Sequence, residues 1–219
     1  MQGDLILGAP DGLIGIDEAG KGDYFGPLVV AACFSNEKID IEFAKIGLKE
    51  SKNISDYRSF ILDKQIRKLT SFEIVVIGPE KYNELHKKMR NLNRLLAWGH
   101  SRALENLLSK TNPLQVVADQ FGDKSLIENA LMKKGRQINL VQRHKAESVP
   151  AVAAASVLAR AEFLRRLESL SNQYGVSLHK GAGLPTDEDG RRFVDNHGKD
   201  ELSKVAKIHF KNTARIIGG

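Results

Sequence analysis

Two short apolar runs in this 219-residue chain end on a carboxylate. They are Leu13-Ile14-Gly15-Ile16-Asp17 and Leu114-Gln115-Val116-Val117-Ala118-Asp119. A buried carboxylate is unfavourable unless a cation, hydrogen bonds or a metal offsets the lost hydration, so each acid needs a partner. Asp17 is followed at once by Glu18. Neighbouring acids on a strand point to opposite faces, but where the strand breaks into a turn both can reach one edge. Carboxylates converging at the ends of neighbouring strands form an all-oxygen site, which selects hard cations such as Mg²⁺ or Mn²⁺. A strand-end aspartate serves equally as a helix cap or as half of a surface ion pair, and the pattern alone leaves these readings open.

The second feature is Gly20-Lys21-Gly22, with Gly15 and Gly26 nearby. Glycine permits positive φ and lets another backbone approach closely. The spacing of a Walker phosphate loop is absent. A hairpin turn accounts for these glycines. Beside Asp17-Glu18 they also suit a loop that offers backbone N–H groups to a sugar-phosphate chain.

The elements that must position these groups follow from periodicity. Leu13–Asp17 and Pro27–Phe34 predict two antiparallel strands joined by a tight connection. Ser55 caps a helix to Leu69, and Phe72–Ile77 is a strand stopped by Gly78-Pro79. Helices are expected at about 79–88 and 92–110, strands at 114–119 and 137–141. Pro150 opens a long helix to about Leu170, and its small residues Ala151, Ala153, Ala154, Ala155, Ser156 and Ala159 let it approach a sheet closely. Thr186 can cap a helix ending near Gly198, a further helical stretch lies near 203–206, and the tail from Lys207 is not assigned. Trp98 and Cys33 read as packed core residues. His86, His100, His144, His197 and His209 show no ligand spacing and read as structural or surface groups. His179 stands closer to the expected substrate loop.

Composition bounds the partners. The chain holds 33 Lys+Arg against 27 Asp+Glu, a net of +6, and 42% of its residues are hydrophobic. From Arg143 onward there are 13 Lys and Arg against 9 Asp and Glu, so the basic excess is concentrated in the C-terminal third. That bias suits a polyanion. No apolar run is long enough to span a membrane, the N-terminus lacks a secretory pattern, and one cysteine excludes a disulfide framework. The expectation is a cytoplasmic domain with no membrane association, 1–219 forming a single unit.

At Gly15-Ile16-Asp17-Glu18-Ala19-Gly20-Lys21-Gly22-Asp23-Tyr24-Phe25-Gly26-Pro27-Leu28 the chain closely resembles the opening motif of the type 2 ribonucleases H. The Gly-Lys-Gly form resembles the ribonuclease HIII branch, where HII usually has Gly-Arg-Gly. Gly47-Leu48-Lys49-Glu50-Ser51-Lys52 resembles the family's Asp-Ser-Lys segment, with Glu50 in place of aspartate. Asn91–Trp98 is similar to a HIII helix. Val117-Ala118-Asp119-Gln120-Phe121 and Lys145-Ala146-Glu147-Ser148 are similar to the segments carrying the third and fourth acids, and Val205–Thr213 resembles the HIII C-terminus.

The resemblance implies a ribonuclease H-like α/β fold, a mixed β-sheet flanked by helices with a C-terminal helical portion. It implies an endonuclease that cleaves the RNA strand of RNA–DNA hybrids with two divalent ions, Mg²⁺ or Mn²⁺, leaving 5′-phosphate and 3′-hydroxyl ends. The acids it assigns to catalysis and metal binding are Asp17, Glu18, Asp119 and Glu147. Gly20, Lys21 and Gly22 would read the 2′-hydroxyl, which separates RNA from DNA. Lys49, Ser51, Lys52 and Lys145 are candidate phosphate contacts, and Ser148 would position a carboxylate or phosphate or cap the next helix. A monomer is expected. Alternatives are an HII-type enzyme incising at single ribonucleotides and an inactive hybrid-binding module.

Three departures bear on this expectation. HIII proteins typically carry an N-terminal hybrid-binding domain, and only 12 residues precede Leu13 here, which would weaken hybrid affinity. The HII branch has a tyrosine after His-Lys-Gly, used at RNA–DNA junctions, where this chain has Ala182 in His179-Lys180-Gly181-Ala182. The His-Lys-Gly stretch is itself HII-like.

Overall fold

The strands of alternating and continuous apolar residues assemble into one mixed sheet. The computed structural model describes residues 11–48, 54–119, 124–143 and 146–218, with the backbone alone at Asp119, Lys124, Glu128, Arg143 and Glu147. Among these residues the strands are β1 (Leu13–Ala19), β2 (Leu28–Ser35), β3 (Phe72–Ile77), β4 (Gln115–Asp119) and β5 (Asn139–Arg143), in the order β3-β2-β1-β4-β5. β1–β2 and β2–β3 are antiparallel, while β1–β4 and β4–β5 are parallel. The helices are α1 (Glu37–Lys45), α2 (Asp56–Leu69), α3 (Pro79–Met89), α4 (Leu92–Leu108), α5 (Lys124–Ala130), α6 (Pro150–Tyr174), α7 (Leu184–His197) and α8 (Lys211–Ile217). No helix among the described residues is long and apolar enough to cross a membrane.

Helices cover the sheet on both faces, so β2 is a near-continuous apolar run, and β1 and β4 are apolar up to the acids near their ends. Val29, Ala31 and Cys33 of β2 pack with Ala154, Val157 and Leu158 of α6 on one face. Val30 and Ala32, with Ile14 and Ile16 of β1, pack with Ala103, Leu104 and Leu107 of α4 on the other. Cys33 is a buried free thiol, as expected, and burial drives its pKa well above the usual thiol range. Trp98 is only partly buried, lying against Leu95, Leu96 and Tyr82.

Several boundaries differ from those read in the sequence. β1 runs on to Ala19, two residues past Asp17, because β2 continues to pair with it through Ala19↔Val29. β5 starts at Asn139 rather than Gln137. The Glu105 carboxylate accepts the N–H groups of Lys134 (3.0 Å) and Gly135 (2.9 Å), which holds Gly135–Gln137 in a 3₁₀ turn and delays the strand. α7 begins at Leu184, with Pro185 in its first turn, so Thr186 lies inside the helix and is not its cap. The stretch near 203–206 is the end of a 3₁₀ turn, Lys199–Lys204, and the tail forms α8. The sequence reading contained neither α1, which buries Phe43 alone, nor the short α5.

The small residues opening α6 do what their size permits. Ala151, Val152, Ala153, Ala154 and Ala155 are all buried. α6 crosses β1 so closely that a Cβ added at Gly15 would stand 2.2 Å from the backbone of both Ala151 and Val152. No side chain can yield there, because the obstacle is backbone. Gly15→Ala is therefore expected to destabilise the chain by about 1–3 kcal/mol or more, the range for overpacking a filled interior. Urea denaturation compared with the wild type measures it; a change under about 0.5 kcal/mol, the ordinary surface range, would show the helix free to move away.

Candidate active site at the end of β1

Pairing of β1 to its last residue decides where the double acid points. Asp17 lies on the α6 face of the sheet, where it hydrogen-bonds the Ser156 side chain. Its Oδ1 also accepts the Glu18 N–H (2.9 Å). Glu18 turns to the opposite face and meets α4, its Oε2 2.9 Å from His100 Nε2. The expectation that both acids leave the strand at a turn and share one edge is thus corrected: the strand ends later, and pleating separates them.

Two different environments result. Burial, reinforced by the neighbouring Glu18 charge, lifts the Asp17 carboxyl from the usual 3.8 to about 6, with Ser156, the Glu18 N–H and His100 opposing. Burial also pushes Glu18 upward, but its hydrogen bond and charge interaction with His100, and Lys21, outweigh it and hold Glu18 below the usual carboxylate range. Lys21 Nζ lies 3.5 Å from Glu18 Oε1. The Glu18 side chain is 11% exposed and that of His100 is fully buried, so this pair is little screened by solvent.

The sheet brings a third acid level with these. The β1–β4 register runs to Ile16↔Ala118, so Asp119 occupies the next rung, beside Asp17. Glu147 sits in the 3₁₀ turn Ala146–Ser148 that leads into α6, and Ala146 of that turn packs with Val117 of β4. The side chains of Asp119 and Glu147 lie outside the described residues, as do Lys49, Ser51, Lys52 and Lys145. Ser148 is exposed at the end of the turn.

The glycine loop follows directly. Gly20 has φ +86°, and a Cβ there would meet the Pro27 carbonyl at 2.2 Å. Gly22 is exposed. Asp23 Oδ1 accepts the Gly181 N–H (2.6 Å), and Tyr24 N–H donates to the Gly181 carbonyl (2.8 Å), so the His179–Ala182 segment lies against this loop. His179 Nδ1 is 2.6 Å from Asp189 Oδ2, so its ring is engaged by α7.

The donor chemistry fits a hard divalent cation. Asp17 is an all-oxygen donor whose ionised form is disfavoured by burial and by a second carboxylate, and a cation beside it removes both penalties. His100 reads in the sequence as a structural or surface group and Ser156 as a small packing residue; their contacts with Glu18 and Asp17 come from the fold. The signal for His100 was its place between Leu96 and Leu104, four residues from each on the buried stripe of α4. A titratable ring in that row needs a polar partner. Ser156, one small residue in an alanine run, gave no such signal.

The ribonuclease HII family model matches residues 14–213. The chain belongs to the ribonuclease HII family. Within it, the similar curated proteins carry the name of the HIII branch. Ribonuclease HIII of Protochlamydia amoebophila is 42% identical over 94% of this chain and 68% of its own length. That of Chlamydia pneumoniae is 41% identical over 94% of this chain and 70% of its own. The crystal structure of Bst-RNase HIII in complex with Mn²⁺ superposes with a TM-score of 0.88 at 31% identity, covering 97% of this chain and 71% of that one. The mixed sheet flanked by helices is thus the ribonuclease H-like fold expected from the sequence, and the HIII branch is favoured over HII.

For this family member the raised Asp17 pKa has a measurable consequence without metal. Between about pH 3.8 and 6 the folded chain retains a proton that the unfolded chain releases. Stability conferred by this group therefore falls as pH rises through that window and stays low above it. In EDTA at pH 7.5, Asp17→Asn is expected to raise stability by about 1–3 kcal/mol, with little gain at pH 3.5, where the wild-type carboxyl is mostly protonated in both states. Thermal melts at the two pH values measure this, and a loss of stability at pH 7.5 would count against a charge held under penalty.

Proposed function

We propose that this chain is a ribonuclease HIII-type endonuclease, which hydrolyses the RNA strand of RNA–DNA hybrids to 5′-phosphate and 3′-hydroxyl ends. Asp17, Glu18, Asp119 and Glu147 are read as the carboxylates that hold two divalent ions, Mg²⁺ or Mn²⁺. The observation that carries the reading is Asp17: a half-buried carboxylate two residues before the end of β1, lifted to about 6, with Glu18 next to it in the chain and the backbone of Asp119 on the adjacent rung of β4. When bound, the two ions supply an activated water and stabilise the departing 3′-oxygen.

The chain's own groups do the positioning. His100 and Lys21 keep Glu18 ionised and fix its direction, and Ser156 orients Asp17 from α6. Gly20, Lys21 and Gly22 present backbone groups to the 2′-hydroxyl. Gly22 is exposed and suits this, whereas Gly20 is buried and its carbonyl accepts the Asp23 N–H, and the Lys21 side chain turns toward Glu18. Lys49, Ser51, Lys52, Lys145 and Ser148 are read as phosphate contacts, which set register and affinity and carry no base specificity. Residues 1–219 are read as one catalytic domain acting as a monomer in the cytoplasm. The buried free thiol of Cys33 suits a reducing compartment. Ala182, where the HII branch has its junction tyrosine, supports a requirement for a run of ribonucleotides.

Cleavage of two duplexes tests the reading, one with an all-RNA strand paired with DNA and one with a single embedded ribonucleotide. The all-RNA strand is expected to be cut in Mg²⁺ or Mn²⁺ and spared in EDTA, with the second duplex cut at least about tenfold more slowly. Equal or faster incision at the single ribonucleotide would move the chain to the HII-type reading; metal-independent binding without cleavage would leave a hybrid-binding module. Asp119→Asn is expected to lower turnover by about 10³-fold or more while hybrid affinity stays within several-fold, as removal of a group acting in the transition state does.

A further inference from the structure

The C-terminal segment contains a lysine with no exposure. Lys207 is fully buried, and its ammonium points into the back of the glycine loop. Nζ donates to the carbonyls of Asp23 (2.8 Å), Gly26 (2.8 Å) and Phe25 (3.4 Å). Its backbone N–H donates to the Tyr24 carbonyl (2.9 Å), so one residue engages four consecutive carbonyls, 23 to 26. The Tyr82 ring lies 5.6 Å from Nζ and presents a favourable face to the charge.

The surrounding contacts serve the same end. Phe25 and Ala206 form an isolated antiparallel bridge, and Gly26 N–H donates to the Val205 carbonyl (2.9 Å). Asn83 on α3 grips the segment from behind. Its Nδ2 donates to the carbonyls of Ser203 (3.1 Å) and Ala206 (2.9 Å), and its Oδ1 accepts the Ile208 N–H (3.0 Å). Tyr24 Oη and Thr213 Oγ1 are 3.0 Å apart, a further tie from α8.

A buried lysine is an unusual way to fill a core, because a methionine or leucine would fill it without desolvating a charge. Three carbonyls converging on one nitrogen need three N–H donors, which among side chains of this shape only the ammonium form of lysine offers. Burial pulls that ammonium down to about 7 against the opposing charge of Asp23, so the three carbonyls hold a proton that the interior disfavours. The geometry holds consecutive peptide planes of Asp23–Gly26 in fixed orientation, one turn from Gly20–Gly22. We propose that Lys207 is a positioning residue that fixes the glycine loop in the shape that meets the 2′-hydroxyl, and so contributes to selecting ribose over deoxyribose without touching the substrate. The inference rests on the ribonuclease H reading above and adds to it the group that sets the loop's shape.

Coupling between enzyme and substrate changes tests it. Wild type, Lys207→Met and Lys207→Arg are each given two duplexes, in which a short ribonucleotide run lies within a DNA strand. The duplexes differ only in a 2′-fluoro replacing the 2′-hydroxyl at the nucleotide 5′ to the cleaved bond. Single-turnover rates give a fluoro penalty for each enzyme. A residue that only stabilises the fold slows both substrates alike, so its coupling is zero. The penalty is expected to shrink at least about fivefold in Lys207→Met and to be largely kept in Lys207→Arg, which retains charged donors. Equal penalties in wild type and Lys207→Met overturn the proposal. If Lys207→Met does not fold by circular dichroism, Asn83→Ala takes its place: a penalty reduced about threefold supports the proposal, and an unchanged one overturns it. If wild type cuts neither duplex, the ribonuclease H reading itself fails, a result distinct from equal penalties.

Discussion

The contact of α6 with β1 across Gly15 is the constraint from which the rest of the site follows. Backbone meets backbone there, so the helix has one height above the sheet. At that height Ser156 reaches Asp17, and the turn carrying Glu147 packs beside β4 through Ala146 and Val117. Further along the same helix, Phe163 and Leu167 lie under Gly20 and Gly26 of the loop. One helix therefore sets the position of an acid on β1, of the turn before it and of the loop after it. The same closeness desolvates Asp17 and raises its pKa. The penalty on the charge and the precision of the site arise from one packing decision, and active sites commonly trade stability for function in this way.

Adjacent acids in a chain are usually expected to share an environment. Here the pleat puts them on opposite faces of one strand, and each face supplies its own partner. Asp17 meets a neutral hydroxyl from α6 and is left easily protonated. Glu18 meets an imidazole from α4 and a lysine from the loop and is held ionised. The α4 side consequently matters as much to the site as the α6 side, although none of its residues belongs to the acid set. A group acting through Glu18, such as His100, influences the site without approaching any substrate.

Much of the fold was legible because its elements have strong periods. β2, α2, α4 and α6 each bury a continuous run or a clear stripe, and their limits, like those of the half-buried β3, agree with the sequence to within a few residues, α6 running four further. The failures share a cause. α1 buries Phe43 alone, α8 is seven residues long, and β5 is displaced by a carboxylate from α4 that lies about thirty residues away in sequence. A tertiary contact overrode the local pattern in the last case, and too little apolar surface existed to show one in the others. In the site, Asp17 and Asp119 were legible because a charge closing an apolar run is conspicuous. The split of Asp17 from Glu18 was not, since it depends on β2 pairing two residues further than the apolar run suggests.

Lys207 was illegible for a different reason. A lysine has a long apolar stem and normally carries its charge to solvent, so Val205-Ala206-Lys207-Ile208 reads as an ordinary segment with one exposed cation. What surrounds its ammonium is the loop, whose Asp23, Phe25 and Gly26 carbonyls face it between two glycines of positive φ, Gly20 and Gly26. Those carbonyls take their donors from Lys207, in the C-terminal segment that also bridges Phe25. The opening motif and the C-terminal motif are thus two halves of one device, separated by most of the sequence. A loop held this way is preorganised: its backbone groups need not be ordered when a substrate arrives, and that ordering would otherwise weaken both binding and discrimination. The basic excess in the C-terminal third therefore has a second use beyond attracting a polyanion, because one of its cations is spent entirely inside the protein, on the shape of the loop.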